Sequence, residues 1–168
     1  MKEKMKDVKR DKKMSITIFV DTKIAREDIN KGDYLRALVQ ISADLEYLFF
    51  WKLFFEKEIK TELIENWTLR RFIDWVCKLN LIDIQYEGLL RDFNKVRNGI
   101  IHRRYAIHQT TKDLDKLNLL ANLMIKVCDF LDSTPIERKQ FSQEQEDAYE
   151  EVLRKMREKY EKVFTKKK

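Results

Sequence analysis

Pro135 and the glycines Gly32, Gly88 and Gly99 are the only residues of those two types in a chain of 168 residues. Sheets built from repeated tight turns draw heavily on glycine and proline, so their scarcity disfavours a β-rich fold and favours long helices. The apolar residues follow the helical period. From Asp33 onward, Leu35, Leu38, Ile41, Leu45 and Leu48 recur at spacings of three and four and run into "FFWKLFF", which is apolar nearly all round. Such a helix belongs at the centre of a core, or its aromatic end meets a partner. A second stripe runs through Leu69, Phe72, Ile73, Val76 and Leu79 behind Thr68, a candidate N-cap. A third carries Leu89, Leu90, Phe93, Val96 and Ile100, and a fourth carries Leu114, Leu117, Leu120, Leu123, Met124, Val127 and Phe130 before Pro135. Four such stripes with short connections predict an all-α bundle.

The C-terminal segment "SQEQEDAYEEVLRKMREKYEKVF" differs in kind. Ser142 and Gln145 stand at capping-box spacing, with acids early and bases late, as the helix dipole favours. Its apolar stripe, Val152 or Leu153, Met156, Tyr160 and Val163, is thin, which suits an accessory helix on the outside of a bundle or against another chain. Pairs such as Glu150 and Arg154 read as surface ion pairs. Near the start, "SITIFV" (15–20) suits a short strand or an extended lead-in. The expected organisation is a basic tail and lead-in over 1–28, a four- to five-helix bundle over 29–135, and a charged helix over 136–168.

Several function classes lack their residues. No glycine-rich phosphate loop, "HExxH", "GxSxG" or close Cys/His cluster occurs, so neither a cofactor nor a metal is expected. Cys77 and Cys128 lie far apart and are expected as reduced core residues. The longest apolar run, "LEYLFFWKLFF", falls short of the ~20 residues of a membrane span and contains Glu46 and Lys52. Behind the basic start "MKEKMKDVKRDKKM" there is no apolar export core, and a cytoplasmic location is expected.

Charge narrows the search. The net charge of +6 sits at the ends: residues 1–13 hold seven Lys/Arg against three acids and residues 150–168 hold eight against four, leaving the middle at −2. Against that background "RDFNKVRNGIIHRR" is a basic patch, with Arg91, Lys95, Arg97, Arg103 and Arg104 against Asp92 alone. It also contains His102, and His108 follows closely. A histidine near its ordinary pKa suits general acid–base work, and a neighbouring arginine can hold a phosphate. Asn98 lies one helical turn before His102 on the same face, placed to orient the imidazole. Arg97 stands about 140° away from His102 on an ideal helix. Bringing the two together requires either a local distortion at Gly99 or a site completed by a second subunit, as in a two-fold dimer. The bland alternative is a polar seam, with a buried His102 satisfied by Asn98 and Arg97 capping the helix.

The stretch "RNGIIH" resembles the arginine, polar residue, three residues, histidine signature of HEPN domains (higher eukaryotes and prokaryotes nucleotide-binding). The segment "NKGDYLRALVQISADLEYLFF" is similar to the first long helix of that family, so the resemblance covers residues 30–131. It implies a bundle of HEPN type, usually homodimeric, whose catalytic members are metal-independent endoribonucleases of toxin–antitoxin, phage-defence and CRISPR-associated systems. By that resemblance Arg97 holds the scissile phosphate of single-stranded RNA, Asn98 is the polar companion, and His102 moves the proton, giving 2′,3′-cyclic phosphate ends. Arg91, Lys95, Arg103, Arg104 and His108 are then candidate substrate contacts, and an antitoxin or other regulatory protein is a candidate partner. A non-catalytic nucleic-acid or nucleotide-binding module, or a dimerising interaction module, is the alternative within the same fold. Arg103 also precedes His108 by five residues, without the asparagine, so the fuller pattern at Arg97 is the discriminating one. Some family members carry a tyrosine two residues after the histidine; here that position is Arg104, and Tyr105 follows.

Overall fold

The computed structural model describes residues 14–102, 111–138 and 141–165, which form an all-α helical protein in two compact units. The larger unit, residues 17–136, contains α1 (Lys23–Asn30), α2 (Tyr34–Lys57), α3 (Thr61–Ile64), α4 (Leu69–Lys78), a 3-10 turn (Ile84–Tyr86), α5 (Glu87–Ile101) and α6 (Thr111–Ser133). The smaller unit, taken by itself, holds β1 (Met14–Ile16) and α7 (Gln143–Thr165). Strand β2 (Ile136–Arg138) begins at the junction and pairs with β1 in a two-stranded ladder. "SITIFV" is thus a strand for its first two residues and irregular after Ile16.

Helix α2 is the axis of the larger unit and packs against α1, α4, α5 and α6. Its position explains its composition. Toward its C-terminal end the helix is enclosed, with Leu53, Phe54 and Phe55 buried in succession, whereas its first half buries Leu38, Ile41, Leu45 and Phe49 and leaves Arg36, Val39 and Ala43 exposed. Of the two expectations for "FFWKLFF", the central core is the one observed. Lys52, within that run, keeps its ammonium on Glu56, one turn ahead.

The entry to α2 is set by two residues. Gly32 (φ 78°) takes the left-handed conformation that closes α1, with Gly32 N–H donating to the Ile29 carbonyl at 2.9 Å and Asp33 N–H to the Asp28 carbonyl at 2.8 Å. Asp33 then caps α2, its Oδ1 accepting the Arg36 N–H at 3.2 Å. Asn80 (φ 52°) ends α4 in the same way, with Asn80 N–H on Cys77 and Leu81 N–H on Val76. Thr68 occupies the N-cap of α4 without a side-chain cap bond.

Three expectations change. The tail and lead-in expected over 1–28 gives way at Lys23 to α1, whose Ala25 and Asp28 are buried. This helix is held by polar contacts: Arg26 pairs with Asp129 of α6, and Arg36 with Asp28 at 3.4 Å. Too few apolar residues line it to produce a stripe. In α6 the buried face passes through Leu117, Ala121, Met124, Cys128 and Leu131, while Phe130 is half exposed. Leucines lie on several sides of α6, and the small Ala121 and Cys128 are fully buried on its core face. In α7 the ion pairs join Arg154 to Glu151 (2.6 Å) and Glu158 in place of Glu150, and Arg154 holds Glu151 well down, at about 2. The capping box is present in full: Gln145 N–H donates to Ser142 Oγ at 3.3 Å and Ser142 N–H to Gln145 Oε1 at 3.0 Å. The side chains of Met156, Tyr160 and Val163 lie outside the described residues. Cys77 and Cys128 are free thiols, and burial pushes both above their ordinary pKa. Among the described residues no helix is long and apolar enough to cross a membrane.

One buried acid predicts a pH dependence. Asp44 of α2 is buried; its Oδ1 accepts from Gln40 Nε2 at 3.1 Å, and its Oδ2 has no hydrogen-bond partner among the described residues. Desolvation raises its pKa, the Gln40 hydrogen bond lowers it, and the charge of Asp21 raises it further. A carboxyl raised in the folded state binds its proton more tightly there than in the unfolded chain, so stability falls as pH climbs from the ordinary carboxylate value to the raised one. Asp44→Asn is expected to stabilise the protein near pH 7 by about 1 kcal/mol, roughly 2–4 °C in melting temperature. The gain should shrink towards pH 4, as thermal melts across that range will show. A gain that grows on acidification would contradict this assignment.

Candidate functional site

The basic stretch lies on α5, and three of its residues share one face because Arg91, Lys95 and Asn98 are spaced at four and three residues. The helix starts behind a turn capped by Asp83, whose Oδ1 accepts the Gln85 N–H at 3.0 Å. It is fastened to α4 by Arg91: Nη1 donates to Asp74 Oδ1 of α4 at 2.7 Å and Nε to Glu87 Oε1 at 2.8 Å. These carboxylates, Asp74 first, raise the Arg91 pKa above its ordinary value. Lys95 pairs with Asp92 at 3.1 Å.

Between the two helices lies a cleft of about 330 Å³, lined by Arg70 and Ile73 of α4 and by Arg91, Asn94, Lys95 and Asn98 of α5. Three cations and two amides therefore converge on one concave surface. Arg91 and Lys95 are ion-paired as described, whereas Arg70 is exposed and has no carboxylate partner among the described residues.

Arg97 projects to a different neighbour. Its Nη1 donates to Asn98 Oδ1 at 3.2 Å and its Nη2 to Glu46 Oε1 of α2 at 3.4 Å, while its Nε is buried without an acceptor among the described residues. The pair is only partly exposed, with 23% and 31% of the two side chains accessible. Asn98 therefore belongs to both groups: it lines the cleft and it receives Arg97.

His102 is the C-cap of α5 (φ −83°, ψ 15°), and its backbone N–H donates to the Asn98 carbonyl at 3.0 Å. Its side chain is exposed, and the imidazole has no hydrogen-bond partner among the described residues. The buried, Asn98-satisfied histidine of the polar-seam alternative is not what is found; the Asn98 side chain accepts from Arg97 instead. Helix α5 continues through the buried Gly99 to Ile101, so no distortion at Gly99 swings Arg97 toward His102. Arg103, Arg104, Tyr105 and His108 lie outside the described residues.

The expected site thus divides into a cation-lined cleft (Arg91, Lys95, Asn98), an arginine held against α2 (Arg97), and an imidazole at the end of α5 (His102). Two cleft residues were not anticipated. Asn94 had a local signal, since it stands at helical spacing on the buried face with Leu90 and Phe93. Arg70 had none: in "LRRF" nothing distinguishes it from Arg71, whose guanidinium lies 4.5 Å above the Trp67 ring. Among the described residues no group of three or more His, Cys, Asp or Glu could hold a metal ion. The chain matches no model of a known family, no curated protein and no solved structure.

Proposed function

We propose that the protein is a metal-independent endoribonuclease of HEPN type that cleaves single-stranded RNA. The observation that carries this reading is the dual placement of Asn98, which lines a cation-rich cleft and also accepts a hydrogen bond from Arg97. The same face of α5 leads at one further turn, about 6 Å along the axis, to the exposed His102. A strand lying in the cleft would have its backbone near Arg91 and Lys95 and its next phosphodiester beside the imidazole.

The chemistry then needs no added group. His102 takes the proton from a ribose 2′-hydroxyl, and the resulting oxygen attacks the adjacent phosphorus. Because regular α5 keeps Arg97 and His102 of one chain apart, Arg97 of a second subunit neutralises charge developing on the non-bridging oxygens. The bond to the 5′-oxygen breaks and that oxygen takes a proton from an imidazolium, that of the base or that of the second subunit's His102, leaving a 2′,3′-cyclic phosphate and a 5′-hydroxyl. A two-fold dimer would set two motifs opposite each other and supply two imidazoles and two guanidiniums to one phosphate. In this reading the protein acts in the cytoplasm, within a toxin–antitoxin or phage-defence pair, with an antitoxin as regulatory partner.

The second reading, a nucleic-acid-binding or dimerising module without catalysis, is favoured by the Arg97–Glu46 contact, which occupies the guanidinium as a structural pair would. Incubation of the purified protein with single-stranded RNA in EDTA separates the two. Cleavage supports the enzyme, whereas intact RNA retained in complex supports the binding module.

A further inference from the structure

Asn94 is the residue that neither the fold nor the proposed chemistry uses. It is 8% exposed, it lines the α4–α5 cleft, and its side-chain amide makes no hydrogen bond among the described residues. Its amide atoms are not closed off from solvent, so they open onto the cleft and are available to a ligand. Around it the cleft offers what one nucleotide requires. Arg70 is the lining cation not neutralised by a carboxylate among the described residues, and its guanidinium can grip a phosphate through two parallel hydrogen bonds. Asn98 has its Oδ1 engaged by Arg97, which leaves its NH2 as a donor. The Asn94 amide offers both a donor and an acceptor, the combination that reads a base edge. Ile73 supplies an apolar surface for the face of a base, and about 330 Å³ is at the small end of ligand-pocket volumes, on the scale of a single nucleotide.

We propose that this cleft is a single-nucleotide subsite, in which Arg70 binds the phosphate and Asn94, with Asn98, binds the base. The assignment rests on the ribonuclease reading only for the view that the nucleotide belongs to an RNA strand. Arg70 and Asn94 have no part in bond breaking, so binding can be read apart from cleavage.

The test uses a labelled 2′-O-methyl oligoribonucleotide, which has no free 2′-hydroxyl and cannot be cleaved by the proposed route. Its affinity for the full chain is measured by fluorescence anisotropy over a salt series. Arg70→Ala is expected to weaken binding about tenfold at low salt and to reduce the slope of log affinity against log salt by about 0.7, the value for one phosphate contact on a single strand. Arg70→Lys should keep the slope and recover part of the affinity. Asn94→Leu should weaken binding about as much with the slope unchanged, while a thermal melt like that of wild type shows that it folds. In competition, uridine monophosphate should displace the oligonucleotide at lower concentration than inorganic phosphate does. Wild-type binding by Arg70→Ala or Asn94→Leu, absence of binding by the wild type, or equal competition by inorganic phosphate would each overturn the subsite. Cleavage of ordinary RNA alongside any of those results would leave the ribonuclease reading standing, and intact RNA with the expected binding losses would do the reverse.

Discussion

His102→Ala is expected to lower RNA cleavage by about 10²–10⁴-fold, the usual contribution of a positioned acid–base group. Stability should hardly change, because the His102 side chain is exposed and only its backbone N–H is bonded within the fold. Arg97→Ala should cut the rate by about 10²–10³-fold, the scale for losing one charge-stabilising donor. It differs from His102→Ala in the fold. Removing Arg97 leaves Glu46 without that partner, so a modest fall in melting temperature accompanies the kinetic loss. Rates measured beside thermal melts distinguish this pattern from the opposite one, in which both variants melt early and neither alters the chemistry.

Phe49→Ala carries the largest expected effect on stability. Phe49 is fully buried on the central helix, and truncating a buried phenylalanine costs about 3–5 kcal/mol through lost transfer energy and the cavity left behind. Domains of this class hold only about 5–15 kcal/mol in all, so the variant should melt about 6–20 °C below wild type at the usual 2–4 °C per kcal/mol. Phe130→Ala makes the control: Phe130 entered the apolar stripe of α6 by spacing alone, yet it is half exposed. Equal losses for the two would contradict the packing described.

The architecture was legible where a local pattern dictates it. The passage from a three-four stripe to the continuous run "FFWKLFF" identifies the helix that must be surrounded, and α2 is that helix. The stripe read from Asp33 onward begins where α2 does, and the Ser142–Gln145 spacing became a reciprocal cap. What escaped depends on contacts between distant segments. Helix α1 is anchored by Arg26 to Asp129, more than a hundred residues away, and a pair of that kind leaves no periodicity. The buried face of α6 turns on the small residues Ala121 and Cys128, which a reading weighted toward leucine overlooks.

The site divides along the same line. Arg91, Lys95 and Asn98 share a face because of helical spacing alone, and the cleft forms along it. The partner of Arg97 is Glu46, 51 residues earlier in the chain, and Arg70 faces the cleft only because α4 packs beside α5. That the Glu46 pairing occupies the guanidinium follows from tertiary structure and from nothing within the motif.

The most direct measurement of the central claim is the mass of the ends produced when wild-type protein meets a defined single-stranded RNA in EDTA. Fragments ending in a 2′,3′-cyclic phosphate, one water lighter than a linear phosphate, are expected, each matched by a fragment with a 5′-hydroxyl. None should come from the same strand with 2′-deoxy sugars. Intact RNA, or ends bearing a 5′-phosphate, would contradict that claim.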